Sequence, residues 1–414
     1  MMQNVLIIGF VWPEPKSSAA GSRMMQLITA FKTANFNITF ASTSGKNTNA
    51  VQLTDLGVAE KEIVLNDSSF DDFINDLQPD VVVFDRFMTE EQFGWRVVEH
   101  CPQALRVLDT EDLHCLRKGR QEAYKKGEAF SNAFLFSDIA KREIASIYRC
   151  DISLIISEAE MAVLKQDFKV PENLLLYLPF MLEKLSETAV NKLPGFDDRQ
   201  HFVTIGNFLH EPNYQTVLYL KHSIWPSIRK ALPKAELHVY GAYASQKVNQ
   251  LHQPKDGFLI KGFADHVNDV MQTAKICIAP LVFGAGLKGK LVDAMKNGTP
   301  CAMSTIAAEG MFGDLNPNGI IEDDLEQFVS AAVALYTNKT LWQTAQQQGV
   351  IVYNTRFYKE HFQHQFLTRL KDVKCNLKTH RFSNFTGAML QHHSMQSTKF
   401  MARWIEEKNK HLSI

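Results

Sequence analysis

The sequence of 414 residues lacks the features that mark several protein classes. It carries no excess charge of one sign, because 44 Lys and Arg face 45 Asp and Glu, and this balance excludes the strongly basic composition of a dedicated nucleic-acid-binding protein. No segment approaches the run of about 18 apolar residues that a membrane-spanning helix needs. The 6 Cys form neither a C-x-x-C pair nor a zinc-ligand spacing, so we expect no zinc site.

Signs of secretion are also missing. The cysteines are widely spaced, as is typical of reduced and buried thiols. The first apolar run, residues 5–12, follows no Lys or Arg and leads directly into Pro13, which favours a buried strand over a signal peptide. We therefore expect a cytoplasmic protein.

Short apolar runs alternate with longer helix-like stretches along the chain. Uninterrupted Val, Ile and Leu runs are typical of strands covered on both faces, and hence of parallel sheets with helices between the strands. The predicted strands form two series, residues 5–10, 38–42, 81–85, 105–108, 152–157 and 174–178, and then residues 202–206, 237–240, 258–260, 276–280 and 300–303. This pattern predicts an α/β fold with two doubly wound, Rossmann-like domains that face a central cleft, where ligands bind at the carboxyl ends of the strands.

The expected organisation is an N-terminal domain (1–182), a polar linker (183–200), a second domain (201–355), a helix that packs back on the first domain (356–375) and a tail (376–414). The tail combines basic and large apolar residues, namely Lys378, Arg381, Lys399, Arg403, Lys408 and Lys410 with Phe382, Phe385, Met389, Phe400 and Trp404. Two interpretations are open. The tail is either a helical extension packed on the body or a basic amphipathic surface that touches a partner or the inner face of a membrane.

The most informative segment is residues 276–305. A predicted strand ends at Pro280, the glycine-rich turn GAGLKG starts at Gly284, and a predicted helix stops at Asn297-Gly298. Glycines let backbone N–H groups approach a ligand closely, the start of a helix adds partial positive charge, and Lys288 adds a full charge. The segment therefore predicts a cradle for a diphosphate.

The same turn also fits the dinucleotide fingerprint G-x-G-x-x-G. That fingerprint belongs in the first strand-to-helix turn of its domain and requires an acidic residue at the end of the next strand, whereas this turn comes late and the next strand ends CAMST. A Walker phosphate loop is absent as well. Asp293, five residues after Lys288, is either an exposed carboxylate or an acceptor for ribose hydroxyls.

Several segments resemble group 1 (retaining, family 4-like) glycosyltransferases of the GT-B fold. GAGLKGKLVDAMKNGTPCAMSTIAAEGM (284–311) resembles their donor-binding segment, TIGNFLHEPN (204–213) their first donor-domain strand and loop, and KGF (261–263) the strand end that frames the base. LDTEDLH (108–114) and IISEAE (155–160) are similar to acceptor-domain segments. The resemblance covers about residues 4–373 and leaves out the tail.

The resemblance implies a nucleotide diphosphate sugar bound mainly by the second domain, with a carbohydrate or lipid-linked acceptor entering from the first. It implies that Lys288 binds the diphosphate and stabilises it as it leaves. The other donor-binding residues that it implies are Gly206, Asn207, Gly262, Phe263, Gly284, Ala285, Gly286, Leu287 and Asp293. Two of them depart from the family pattern, since Ala285 replaces the first Glu of a Glu-x7-Glu pair and Asn207 replaces an Arg.

The first domain offers a second group of candidates. In the loop WPEPKSSAAGSR (12–23), Gly21 makes room, Ser22 is expected to cap the next helix, and Arg23 is a candidate for the charge that Asn207 lacks. A metal site at the acidic segment 109–112 is not favoured, because the family does not generally hold a metal there.

His114 is the second catalytic candidate, with a purely structural role as its alternative. By resemblance it reaches the reacting sugar or the acceptor. Glu111 or Asp112 would orient it or act as a base.

The sequence thus predicts a metal-independent glycosyltransferase without a cofactor, which acts with retention in the synthesis of cell-surface polysaccharide or glycoconjugate. A nucleotide-sugar epimerase or hydrolase on the same fold is one alternative. A non-catalytic GT-B protein that binds a nucleotide or a partner is the other, and Ala285 and Asn207 favour it. No nucleic-acid partner is expected.

Overall fold

A computed structural model describes residues 3–412 of the chain. The strands are β1 (Asn4–Gly9), β2 (Asn37–Ser42), β3 (Ala59–Glu62), β4 (Val81–Asp85), β5 (Leu105–Asp109), β6 (Ile152–Ile155), β7 (Leu175–Tyr177), β8 (Gln200–Ile205), β9 (Leu237–Tyr240), β10 (Phe258–Gly262), β11 (Ala274–Ala279), β12 (Cys301–Met303) and β13 (Gly319–Ile321). The α-helices are α1 (Ala19–Thr33), α2 (Ser69–Leu77), α3 (Arg86–His100), α4 (His114–Lys126), α5 (Asn132–Leu135), α6 (Asp138–Arg149), α7 (Glu158–Gln166), α8 (Glu187–Asn191), α9 (Glu211–Tyr219), α10 (Trp225–Ala231), α11 (Gln246–Asn249), α12 (Val267–Thr273), α13 (Gly289–Lys296), α14 (Thr305–Ala308), α15 (Leu325–Thr337), α16 (Lys339–Arg356), α17 (Lys359–Cys375), α18 (Leu377–Ser383) and α19 (Phe385–Leu412).

The strands form two parallel sheets, as the sequence predicts. The first sheet has seven strands in the order β3-β2-β1-β4-β5-β6-β7, and the second has six in the order β10-β9-β8-β11-β12-β13. The strand order reverses beside β1 in the first sheet and beside β8 in the second. Ligands of doubly wound sheets bind at the carboxyl ends of the strands next to such reversals. This topology directs attention to the loops that follow β1, β4, β8 and β11.

The central strands are buried on both faces. In β1, Val5 and Ile7 belong to one hydrophobic cluster, while Leu6 and Ile8 belong to another. Successive side chains of a strand point to opposite faces of a sheet, so each face of β1 needs its own apolar cover. Helices pack on both sides, which is why the sequence shows uninterrupted apolar runs rather than alternation.

Two edge strands were not predicted. β3 carries the sequence Ala-Glu-Lys-Glu and is mostly exposed, and β13 has only three residues. A strand at the edge of a sheet hydrogen-bonds on one side only and needs less apolar surface than a central strand. β3 therefore lacks an apolar run, whereas the Gly-Ile-Ile of β13 is apolar but too short to be recognised as one.

The C-terminal helices lie against the first sheet. On α17, Phe366 is fully buried in that sheet's core, with its ring centroid 5.4 Å from that of Phe31. On α18, the Arg381 guanidinium donates two hydrogen bonds of 2.8 Å to the buried carboxylate of Asp151. The expected C-terminal helical stretch is confirmed. The outer face of α18 and α19 nevertheless exposes large apolar side chains, including Phe382, Phe385, Phe400 and Trp404.

Hydropathy adds one further observation. Among the helices within residues 3–412, none combines the length and the apolar character needed to cross a bilayer.

Truncation of Phe366 tests the docking of α17 on the first sheet. Because this ring is fully buried, Phe366→Ala is expected to lower the free energy of unfolding by about 3–5 kcal/mol, through lost transfer energy and a cavity. Urea denaturation followed by circular dichroism measures the change. Phe382, which is 89% exposed, provides the control, since Phe382→Ala should change stability by less than about 0.5 kcal/mol. Equal effects of the two substitutions would contradict the docking.

Candidate active site

A cleft of about 1230 Å³ lies where the loops after β1, β4, β8 and β11 meet. Most of the residues that the sequence singled out line this cleft, namely Gly21, Ser22, Glu111, Asp112, His114, Gly206, Asn207, Gly284, Ala285, Gly286, Leu287, Lys288 and Asp293. Arg23, Gly262 and Phe263 are not among the lining residues. The folded chain therefore brings candidates from both sheets to one place.

The glycine-rich turn, residues 284–289, connects β11 to α13 and is here called the phosphate loop. Gly286 adopts a φ of +64°, and a Cβ atom at this position would lie 2.9 Å from the Cβ of Asp112. Both the backbone conformation and the close approach of the first domain therefore require glycine. The helix ends as predicted, with Asn297 as its cap and Gly298 at a φ of +63°.

Lys288 stands at the junction of the phosphate loop and α13. Its Nζ atom donates hydrogen bonds to the carbonyl oxygens of Gly286, at 2.6 Å, and Ala285, at 3.1 Å. The side chain is only 7% exposed, and burial lowers the pKa of its ammonium group. An anion that enters the cleft would offset this burial and favour the charged form.

Two charged residues of the first domain hold the phosphate loop. Arg120 of α4 donates to the carbonyl oxygen of Gly284 at 2.8 Å and forms a two-pronged pair with Glu309 at 2.8 and 2.7 Å. Glu160 of α7 accepts a hydrogen bond of 2.9 Å from the backbone N–H of Gly286. The resemblance implies that the Gly286 N–H contacts the sugar donor, but in this structure that N–H already donates to Glu160.

Glu160 is fully buried beneath the loop. Its Oε1 atom also accepts a hydrogen bond of 2.8 Å from the Leu113 amide, whereas Oε2 has no partner among the described residues. Burial raises the pKa of this carboxyl group, and the neighbouring charge of Asp112 raises it further. No local signal in the sequence marks Glu160 or Arg120 as a site residue, because the loop residue that each holds is more than a hundred positions away.

A chain of side chains joins α13 to the turn after β8. The Lys290 ammonium donates to Asn213 Oδ1 at 2.9 Å, and Asn213 Nδ2 donates to the carbonyl oxygen of Asn207 at 3.0 Å. A Cβ atom on Gly206 would lie 2.6 Å from the Asn213 side chain, so glycine is needed there. Lys290 and Asn213 line the cleft, and sequence analysis missed both.

His114 begins α4 at the first-domain wall of the cleft. Its backbone N–H donates to the Glu143 carboxylate at 2.9 Å, and its Nδ1 lies 3.5 Å from oxygens of both Asp112 and Glu143. Arg117 donates to Asp112 at 2.6 Å. Burial alone would raise the pKa of Asp112, but the charges of Arg117 and His114 hold it well below its usual range.

Glu111 has a strained backbone and a raised pKa. Its φ of +62° lies in the left-handed region, which is uncommon for a residue with a side chain. Burial raises its pKa first, and the nearby carboxylates of Asp109 and Asp85 raise it further. Such a carboxyl group keeps its proton more readily than an exposed glutamate.

The predictions for Arg23 and the helix cap need correction. Arg23 is 1% exposed, pairs with Asp109 at 2.9 Å and donates to the carbonyl oxygen of Leu178, so it joins strand ends inside the first domain and does not face Asn207. The residue that caps α1 is Ser18, whose hydroxyl accepts from the Gly21 amide at 3.0 Å. The Ser22 hydroxyl instead donates to the Pro15 carbonyl oxygen.

The remaining candidates divide between the cleft and its surroundings. Burial raises the pKa of Asp293 to about 6, so this cleft carboxylate is ionised at neutral pH. Phe263 follows the end of β10 and is 37% exposed, while residues 264–269 directly after it do line the cleft. No group of three or more His, Cys, Asp and Glu residues with metal-binding geometry occurs in the part of the chain that the structure describes.

Comparison with known proteins finds one family match, which covers about a third of the chain. Residues 199–338 match the family described as "Glycosyl transferases group 1". No curated protein sequence matches the chain.

Solved structures of low sequence identity share the fold. Sucrose-phosphate synthase from Thermosynechococcus elongatus is 14% identical with a TM-score of 0.66, and the alignment covers 90% of this chain and 100% of that one. Anabaena Alr3699/HepE in complex with UDP-glucose is 13% identical with a TM-score of 0.66 over the same shares of the two chains. S. aureus TarM, in a complex that contains UDP, is 13% identical with a TM-score of 0.56, over 72% of this chain and only 58% of that longer chain. These likenesses confirm the GT-B fold.

Replacement of Glu160 by Gln tests its buried, protonated state. Between the ordinary glutamate pKa and the raised value in the fold, the native state holds a proton that the unfolded state has lost, so stability falls as the pH rises. Glu160→Gln keeps the oxygen that accepts from Gly286 and Leu113 but does not titrate. We expect the wild type to lose stability relative to this variant from about pH 5 to about pH 8 in urea unfolding.

The control is Glu187→Gln at an exposed position of α8, which should show no such pH-dependent difference. A constant stability difference between wild type and Glu160→Gln across this range would show that Glu160 is ionised in the fold.

Proposed function

We propose that this chain, a glycosyltransferase whose second domain belongs to the group 1 glycosyl transferases, moves a sugar from a nucleotide diphosphate sugar to an acceptor hydroxyl. The observation that carries the proposal is the phosphate loop with Lys288, which lies in the cleft between the two sheets. In the reaction, the bond from the anomeric carbon of the sugar to the diphosphate breaks and a bond from that carbon to the acceptor oxygen forms. The acceptor proton passes to a base.

The main physical problem of this reaction is the negative charge that grows on the departing diphosphate. In our proposal the Lys288 ammonium meets that charge, and the start of α13 adds partial positive charge. Asn207 and Gly206 lie beside the phosphates. The hydrogen bonds from Lys288 to the loop carbonyl oxygens are then exchanged for bonds to phosphate oxygens.

The nucleoside is assigned to the second domain as well. Asp293 accepts hydrogen bonds from the ribose hydroxyls, which suits a carboxylate that is ionised above a pKa of about 6. Gly262 and Phe263 remain the residues that we propose to flank the nucleobase. The proposed donor needs no cofactor and no bound metal in this scheme.

The acceptor approaches the sugar from the first domain. His114 and Asp112 line that side of the cleft, and Glu111 is the proposed base. Its raised pKa would strengthen its hold on the acceptor proton once the carboxylate is ionised. Retention of configuration rests on the family resemblance. We propose a carbohydrate or lipid-linked acceptor and a place in the synthesis of cell-surface polysaccharide or glycoconjugate, in keeping with a cytoplasmic enzyme.

The outer face of α18 and α19 supports a peripheral membrane contact. Phe385, Met389, Phe400 and Trp404 recur on one side of a 28-residue helix and are 46–78% exposed. The exposed Lys408 continues this side, and Lys378 is exposed on α18. Aromatic side chains flanked by basic ones are typical of helices that lie in the interface of an anionic lipid surface. Such a contact would hold the enzyme at the membrane surface, where a lipid-linked acceptor resides.

Substitution of Lys288 tests the proposed chemistry. Loss of a charge aimed at the leaving group is expected to lower kcat of Lys288→Ala by about 10²–10³-fold. Release of the nucleoside diphosphate in the presence of acceptor extracts measures turnover, and Lys247→Ala, at an exposed position outside the cleft, serves as control. Normal turnover by Lys288→Ala would contradict the assignment.

The same assay separates the alternatives. Donor cleavage without any acceptor-dependent product would indicate a hydrolase or epimerase. Binding of UDP, GDP or ADP without turnover of any donor would favour a non-catalytic protein, the alternative that Ala285 and Asn207 favour.

Sedimentation with vesicles tests the membrane contact. Wild-type protein is expected to sediment with vesicles that contain phosphatidylglycerol and to remain in solution with phosphatidylcholine alone, because the basic residues require anionic lipid. The double variant Phe400→Ser/Trp404→Ser should lose the binding. Ile351→Ser, which removes an exposed apolar side chain of α16, should not. Equal binding of the double variant and the wild type would rule out this face.

A further inference from the structure

The strongest unexplained feature of the cleft is Lys290, and we propose that its ammonium is the second cation of the diphosphate site. This proposal rests on the proposed function and adds a residue to it. Lys290 would supply, from α13, the positive charge that Asn207 does not supply after β8. Asn213 would then be a positioning residue that acts through Lys290.

Lys288, which precedes α13, and Lys290, which lies in it, reach different parts of the site. Lys288 precedes the first helical residue, has an extended backbone, and turns its ammonium onto the carbonyl oxygens of the phosphate loop. Lys290 lies within the first turn of the helix and reaches across to α9 instead. The phosphate loop and the turn after β8 therefore each receive one ammonium group.

Asn213 fixes the position of the Lys290 ammonium. Its amide nitrogen is bonded to the carbonyl oxygen of Asn207 at 3.0 Å, and its oxygen accepts from Lys290 at 2.9 Å. The side chain lies so close to Gly206 that a Cβ atom there would be 2.6 Å away. This arrangement places the cation of α13 directly beside Gly206-Asn207, at the carboxyl end of β8.

The charge of Lys290 has no protein counter-ion among the described residues. Within residues 3–412 no carboxylate forms an ion pair with it, and its hydrogen-bond acceptor is a neutral amide. Burial lowers the pKa of this ammonium to about 8, which indicates a cation that its surroundings do not fully compensate. A diphosphate in the cleft would provide the missing negative charge.

A charge that is already in place before the reaction should act on binding of both donor and product. Lys290 therefore differs from Lys288, whose present bonds are to the loop itself. We expect loss of Lys290 to weaken binding of a nucleoside diphosphate while leaving binding of the nucleoside unchanged, because the nucleoside has no phosphate to neutralise.

Calorimetric titration can test this assignment. UDP, GDP and ADP, each with its nucleoside, are titrated into wild type, Lys290→Met, Lys290→Arg and the control Lys247→Met. For the diphosphate that the wild type binds, Lys290→Met should raise Kd by about 10–100-fold, whereas the nucleoside Kd should stay unchanged. Lys290→Arg should recover most of the diphosphate affinity, and Asn213→Ala should show a smaller loss in the same direction.

The outcomes separate this inference from the function on which it rests. A wild type that binds no nucleoside diphosphate would overturn both. A wild type that binds one, together with a Lys290→Met variant that binds it equally well, would overturn the role of Lys290 alone. Equal losses of nucleoside and diphosphate affinity in Lys290→Met would also overturn it, because they would mark a damaged pocket rather than a lost charge.

Discussion

The hydrogen bond from the Gly286 amide to the buried Glu160 carboxyl group ties the phosphate loop to the opposite domain. The loop follows β11, yet Glu160 and Arg120, which fix its shape, both belong to helices on the first sheet. The geometry of the loop and the relative position of the two domains therefore depend on each other. Any opening of the cleft that separates Gly286 from Glu160 must deprive the buried carboxyl group of one of its hydrogen-bond donors.

This dependence explains which parts of the site were visible in the sequence. Glycines, a lysine at the start of a helix and an Asn-Gly stop are local signals, and the phosphate loop was recognised from them. Arg120, Glu160 and Lys290 act through contacts with distant residues or across the cleft, and no local pattern announces such pairs. Arg23 was wrongly expected to supply a charge in the cleft. Its pairing with Asp109, 86 positions away, keeps it out of the cleft.

The predictable parts of the fold are the strands that are buried on both faces of a sheet. The central strands appear as apolar runs, because helices cover both sides of each sheet. β3 escaped recognition, since an edge strand has a single hydrogen-bonded neighbour and tolerates polar side chains. β13 escaped because its three residues, Gly-Ile-Ile, are too few to form a recognisable run. For the C-terminal part, the sequence predicted a helix packed back on the first domain and left two interpretations of the tail open. One of the contacts that attach these helices is the pair of Arg381 with the buried Asp151, which are separated by 230 positions.

The polar character of β3 has a consequence for the behaviour of the protein in a crowded solution. An edge strand presents unpaired backbone groups, to which a strand of a second molecule can add. β3 is only four residues long, and three of these, Glu60, Lys61 and Glu62, are charged. An incoming strand would have to desolvate these charges for a short stretch of backbone bonds. The sheet can thus remain open at this edge without becoming a template for aggregation.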